Sequence, residues 1–250
     1  MGTTAVATEP VTNSTETEVT APEPENTGKL TTHNGKKYYE YAGGKRAKNQ
    51  FVDIKGKTYY FGAKGVMVKG WMEKKGNYYY FDRSSGVQKK GGKVDGIKLS
   101  KSGKAQKSKY NKKKIATMIT ARKNVDKITK TTDTKEQKLK KVFDWVMKHP
   151  YKRHRIFAQV KTQKGWEMDY ANDIFKLGNG CCFSESCALA FMARECGYKK
   201  VYICDDTGHA WVEIDGYVYD TLFAEVKGYN KYYKSTYKKA NLHLIEKKKL

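Results

Sequence analysis

His209-Ala-Trp-Val-Glu-Ile-Asp-Gly-Tyr-Val-Tyr-Asp220 is the stretch that decides how the second half of this 250-residue chain folds. Asp215-Gly216 is the strongest two-residue signal for a β-hairpin. With that turn, Ile214 stands opposite Tyr217, Val212 opposite Tyr219 and Trp211 opposite Asp220. Side chains alternate between the two sides of a strand, so Ala210, Val212, Ile214, Tyr217 and Tyr219 share a face suited to a core. His209, Trp211, Glu213, Val218 and Asp220 share the other, expected to project away from the core. His209 would then face Leu222, making Asp220 its diagonal neighbour, roughly 7–8 Å off at the backbone and within side-chain reach. A histidine and an aspartate so placed are what orients and charges a general base. The plain alternative is an exposed histidine beside an aspartate that ends a strand.

Upstream lies Gly178-Asn-Gly-Cys-Cys-Phe183. Its glycines permit a tight turn into a helix. Phe183, Cys187, Ala190, Phe191 and Met192 continue as an apolar stripe, and Gly197 sits where a glycine ends a helix. Cys182 therefore falls at or near a helix N-terminus, where free amides and the helix dipole favour a thiolate. Its other reading is a small buried hydrophobe. All five cysteines (Cys181, Cys182, Cys187, Cys196, Cys204) fall within 24 residues. The odd count and the lack of paired ligand spacing argue against a disulfide framework or a zinc site. A reactive thiol with small buried neighbours fits better.

Gly-x-Gly-x-Cys opening a helix, then His-Ala-Trp-Val-Glu, then Tyr-x-Tyr-Asp resembles the bacterial transglutaminase-like superfamily. The likeness covers roughly residues 112–226, including Lys138, Val142-Phe143-Asp144-Trp145-Val146 and Tyr151. It implies a papain-like α+β fold, the cysteine helix packed on an antiparallel sheet. It also implies Cys182 as nucleophile, His209 as base and Asp220 as orienting acid, with no cofactor or metal. Two positions depart from the family pattern. Glu185-Ser186 stand where an aromatic-Ala pair is usual, and Cys181 offers a second nucleophile beside Cys182. Glu185 could raise the thiol pKa by like charge or complement the helix N-terminus. Trp166 is a candidate oxyanion donor through its indole N–H, with core packing as the rival reading. His33, His149, His154 and His243 have no comparable partner and are expected at the surface.

From about residue 112 the apolar spacing is helical. Ile115, Met118, Ile119, Val125 and Ile128 fit one face, and Leu139, Val142, Phe143 and Val146 another. Asp133 and Glu136 have the spacing of a capping box, and Pro150 stops the second helix.

Before the helices stands a repeat. Asn34-Gly35, Lys55-Gly56, Lys75-Gly76 and Asp95-Gly96 recur at intervals of 21, 20 and 20 residues. The first three are followed by Tyr38-Tyr39-Glu40-Tyr41, Tyr59-Tyr60-Phe61 and Tyr78-Tyr79-Tyr80-Phe81. Further glycines recur at 44, 65, 86 and 103. Turn, aromatic strand and turn at this period indicate stacked β-hairpins, which must stack to bury their rings. The block resembles the choline- or glucan-binding repeats of Gram-positive surface proteins, in which rings of neighbouring repeats cage choline. That resemblance offers Tyr59, Tyr60, Trp71, Tyr79 and Tyr80 for contact with wall or glycan. Phe51, Leu30 and Gly91 stand at the positions equivalent to Trp71, so most cages would be incomplete. Wall attachment or a structural spacer is expected ahead of tight choline binding, with the last copy acting as a cap.

Fifty Lys and Arg oppose 26 Asp and Glu, for a net charge of +24. The charge is Lys spread over both halves, and no fingerprint of a nucleic-acid module occurs, so no nucleic-acid partner is expected. An anionic wall polymer is the expected partner of that surface. No apolar run approaches the ~18 residues of a membrane span. Residues 1–28 hold five Glu and no Lys or Arg, and their Thr/Pro/Glu composition reads as a disordered linker after a removed secretion signal. The expected organisation is 1–28 linker, 29–108 hairpin repeats and 109–250 catalytic domain. Its expected work is cysteine-dependent acyl transfer or hydrolysis at protein or peptide amides, outside the cell and on its wall. A non-catalytic adhesion protein is the alternative.

Overall fold

The computed structural model describes residues 1–2 and 27–250. The expectation for the acidic tract falls largely outside the described residues.

Four hairpins follow one another: β1 (Gly28–His33) with β2 (Lys36–Tyr41), β3 (Gln50–Ile54) with β4 (Lys57–Phe61), β5 (Gly70–Lys74) with β6 (Asn77–Phe81), and β7 (Lys93–Val94) with β8 (Ile97–Lys98). Each turn is two residues with positive φ, such as Lys75 at 49° and Gly76 at 70°. That geometry matches the twist of paired strands and selects glycine at the second position. Successive hairpins are joined by backbone bonds at equivalent places. The amides of Met67, Gln88 and Ala105 donate to the carbonyls of Lys37, Thr58 and Tyr78 at 2.8–2.9 Å. Rings fill the spaces between them: Tyr39, Val52, Tyr59, Phe61 and Met67 form one buried cluster, and Tyr60, Met72 and Phe81 the next.

The last hairpin has no aromatic residue, yet it is not a free cap. Ile97 and Leu99 are buried in the same core as Trp71, Tyr80 and the helical half. That core continues into α1 (Lys109–Ile128), which starts where the Ser108 hydroxyl accepts the Asn111 amide. Next come α2 (Lys135–Val146), the single turn α3 (Phe157–Val160) and α4 (Trp166–Asn172), which runs into a π-helical turn over Asp173–Leu177. The capping box of α2 lies one residue later than its spacing in sequence suggested. Thr134 accepts the Gln137 amide while the Gln137 side chain accepts the Thr134 amide. Asp133 instead accepts the Lys130 amide and pairs with Lys141, both at 2.6 Å.

The central helix α5 (Cys182–Glu195) is buried for nearly its whole length. It packs on a four-stranded antiparallel sheet ordered β11 (Tyr217–Tyr219), β10 (Ala210–Ile214), β9 (Val201–Asp205), β12 (Glu246–Lys249). The hairpin register is the one that Asp215-Gly216 demands, with Val212 opposite Tyr219 and Ile214 opposite Tyr217. Both sides of this hairpin are covered, contrary to the expectation that one projects from the core. Three short helices supply the cover: α6 (Thr221–Lys227), α7 (Tyr229–Tyr232) and α8 (Tyr237–Ala240). Trp211 is fully buried, its ring 6.2 Å from that of Tyr237, and the Tyr237 hydroxyl donates to Glu213. Tyr217, assigned by alternation to the core face, is exposed at the end of the hairpin. Among the described residues, no helix is long and apolar enough to cross a membrane.

Candidate active site

The site is assembled where α5, the loop before β10 and the start of α6 converge. Gly180 sets the entry to α5. A Cβ there would stand 2.3 Å from the Ser184 Cβ and 2.9 Å from Ile174, so only glycine lets the chain pass this close to its own helix. Cys181 is the N-cap residue, and α5 begins at Cys182. The Ser184 hydroxyl donates to Asp173, which is held in turn by both Arg155 guanidinium nitrogens.

The two cysteines are buried and line one cleft of about 370 Å³. Contact with the Cys182 thiol pulls Cys181 down from the ordinary thiol range, and the amides of Ser184 and Phe183 at the helix start add to it. The same contact, then burial, pushes Cys182 up, against the Ala210 amide that points at its sulfur. Once one proton has left, the two thiols in contact share the other, so the early ionisation belongs to the pair. That Ala210 amide ties Cys182, rather than Cys181, to the strand that follows His209.

His209 is fixed from three sides. Its amide donates to Asp206 at 2.7 Å. Its ring lies flat on Phe223, with centroids 3.8 Å apart and planes 8° from parallel. Its Nε2 is 2.6 Å from Asp220 Oδ2. Asp220 is itself buried, and its other oxygen accepts the Phe223 amide at 3.0 Å as the N-cap of α6. A carboxylate bonded to Nε2–H leaves Nδ1 as the basic nitrogen. Among the described residues no hydrogen bond joins His209 to either thiol.

Trp166 is in an aromatic cluster, 4.9 Å from Phe157 and 6.2 Å from Phe183, with Lys248 over its ring. It is not among the residues lining the cleft. Sequence reasoning missed the cleft's other walls. Arg153, Arg155 and Lys161 line it together with Asp205, Asp206 and Glu246. Burial pushes Asp205 up to about 6, and Glu246 and Asp206 add to the shift. β12, which brings Glu246 to the cleft, is three-quarters lysine and carries no strand signal. Among the described residues, no group of three His, Cys, Asp or Glu side chains could hold a metal ion.

The aromatic residues of the repeats divide by position. Trp71 and Tyr80 are buried in the joint with the helical half, and Tyr59 is buried between the first two hairpins. Tyr60 and Tyr79 flank the exposed Phe51 ring at 5.0 and 5.2 Å. A cation already stands there: Lys74 Nζ is 4.6 Å from the Tyr60 ring and 5.4 Å from that of Phe51, and it donates to the Asn49 carbonyl.

Residues 122–233 match the model of the transglutaminase-like superfamily, and residues 51–92 match that of the choline-binding repeat. The order is the one that the two sequence resemblances imply. Among solved structures the chain is similar to choline binding protein F from Streptococcus pneumoniae (32% identity over 32% of this chain and 27% of that one, TM-score 0.30). It is also similar to a choline binding domain from the same organism (27% identity, 35% of this chain and 100% of that one, TM-score 0.30). A truncated alternansucrase from Leuconostoc mesenteroides matches at 30% identity over 32% of this chain and 7% of that one, with a TM-score of 0.28. The chain thus spans about a quarter of the length of choline binding protein F. No curated protein matches it.

Proposed function

We propose that this protein is a secreted, wall-associated cysteine enzyme that transfers or hydrolyses acyl groups at protein or peptide amides. In this reading residues 109–250 form a papain-like core, with Cys182, His209 and Asp220 as its triad. The observation that carries it is the buried His209–Asp220 pair at 2.6 Å, set beside a cysteine that opens a helix on a cleft.

Cys182, as thiolate, attacks the carbonyl carbon of a Gln side chain or a peptide bond. The negative charge moves to the carbonyl oxygen, which the amides at the start of α5 are placed to stabilise. The proton that Cys182 gives up to His209 Nδ1 on becoming the thiolate passes to the leaving amine as the C–N bond breaks, leaving a thioester. Asp220 holds the ring in the tautomer this needs and stabilises the imidazolium. An amine then attacks the thioester, losing a proton to His209 as the C–S bond breaks and Cys182 is released, giving cross-linking or cyclisation, or water does the same, giving hydrolysis. Both outcomes share the first half-reaction.

The repeats supply attachment to a cell-wall polymer, a reading supported by the match of residues 51–92 to the choline-binding repeat. The lysine-rich surface suits an anionic polymer.

A thiol-directed probe followed by mass spectrometry tests the nucleophile. Labelling is expected on Cys182 and lost in Cys182→Ala. Labelling that resides on Cys181, or persists in the variant, sinks the assignment. Incubation with casein and a labelled amine, following incorporation against fragment release, then separates transferase from peptidase.

A further inference from the structure

Glu185 lies on α5, one turn beyond Cys182, and is 1% exposed. Both of its carboxyl oxygens are buried and make no hydrogen bond. The Thr221 hydroxyl is near enough to favour the ionised form but makes no bond of normal geometry, and no lysine or arginine pairs with Glu185 among the described residues. The charged groups that face it are alike in sign: Asp220 and Glu225 from the start and body of α6, and the Cys181 thiol from its own helix. Asp220 carries the only cation-forming partner in that corner, His209, together with the Phe223 amide.

Two buried carboxyls whose charges repel cannot both ionise cheaply. Asp220 has a histidine nitrogen on one oxygen and the Phe223 amide on the other. Glu185 has neither, and a buried carboxylate without partners costs far more than a buried neutral acid. We propose that Glu185 is a positioning residue kept as the neutral acid behind Asp220, so that the carboxylate bonded to the His209 ring acts on it without a second charge at its back. Ionising Glu185 then adds a second negative charge there and sets an alkaline limit on the site. The inference rests on His209 and Asp220 acting as a pair, which is part of the function proposed above. Burial, with Asp220 adding to it, pushes Glu185 up to about 8, which places that limit at mildly alkaline pH.

The sign of the pH dependence follows from linkage. In the unfolded chain Glu185 ionises near pH ~4.3, whereas in the folded protein it stays protonated to about 8. The unfolded chain therefore loses this proton first, and the contribution of Glu185 to wild-type stability falls as pH rises from about 4 to 8. Glu185→Gln and Glu185→Met remove the proton and should escape that loss. Their melting temperatures should rise relative to wild type across this window, by on the order of 10 °C at pH 8, and then level off. A difference that stays flat or reverses overturns the proposal. So does failure of both variants to fold, because a carboxyl without hydrogen bonds leaves them none to lose. A second readout is the His209 ring resonance, assigned with His209→Gln. It should show an inflection near pH 8 in wild type that Glu185→Gln lacks; its persistence in that variant also overturns the idea. Neither measurement needs activity, so failure to label Cys182 would remove the catalytic reading and leave this one standing.

Discussion

At the residue scale, Asp220 has two tasks that substitution can separate. One oxygen caps α6 and the other holds His209, so Asp220→Asn keeps an N-cap acceptor while losing the charge on the imidazole. Acyl transfer should fall by about 10²–10⁴-fold in Asp220→Asn with little change in melting temperature. Asp220→Ala should lose the same activity and a further ~1 kcal/mol of stability from the cap. Equal melting temperatures for the two variants would show that the cap contributes nothing. Cys181 has a prediction of its own. Removing its contact with Cys182 in Cys181→Ser should move the onset of iodoacetamide reactivity upward in pH toward the ordinary thiol value of about 8.5. An unchanged profile would mean that the pair does not share its proton. The sequence could place His209 and Asp220 together because hairpin register is a local property of Asp215-Gly216. It could not assign Cys181 its role as N-cap, since that depends on the dihedral angles at one residue.

At the scale of elements, legibility follows how local each signal is. The repeats and their turns are periodic, and α1, α2 and α5 carry apolar stripes, so these were readable; α3, α4 and α6 to α8 are too short to show a helical period. The capping box at α2 was misplaced by one residue because Asp133-Glu136 and Thr134-Gln137 both offer an acceptor and a carboxyl or amide at the right interval. β12 was invisible: Glu246–Lys249 becomes a strand only because the edge of β9 is free to pair with it. The same limit applies to the aromatic residues of the repeats. Their spacing predicts rings in pairs, but not that Lys74 of the next hairpin lies over both Phe51 and Tyr60. A quaternary ammonium must displace that lysine, at a cation–π contact of about 0.5–1 kcal/mol plus its hydrogen bond to Asn49. Retention on a choline resin should accordingly be weak for wild type and increase several-fold in Lys74→Ala. Equal retention would show that the lysine does not compete for this site.

For the whole molecule, the decisive feature is the seam between repeats and helices, which no local pattern announces. Trp71, Tyr80, Ile97 and Leu99 belong to the same buried core as Ile115, Met118 and α5. Around that apolar contact, Arg83 donates to both oxygens of Glu195 at 2.7 and 3.3 Å, and Arg194 donates to Asp95 at 2.7 Å. Asp95 also accepts the Trp71 indole at 2.8 Å, while Arg122 donates to the Trp71 carbonyl. These charges come from residues 112 positions apart in the case of Arg83 and Glu195, which is why the sequence gives no hint of them. Burial pushes Asp95 up, but Arg83, Arg194 and the indole outweigh it and hold the carboxyl below its usual range. Its contribution is therefore present above the unfolded value of about 3.9 and lost as pH falls further, so the seam should loosen first in acid. Replacing Arg83 tests the seam directly. In Arg83→Ala the Glu195 carboxylate, nearly all buried, is left without its partner, a loss of about 3 kcal/mol or more. Because the last two hairpins share one core with α5, and the first two stack on them, wild type is expected to unfold at neutral pH in a single calorimetric transition. Arg83→Ala should split it, with the repeats and the helical half melting separately. Two transitions already present in wild type would mean that the shared core does not couple the halves, and the repeats would then be a tether.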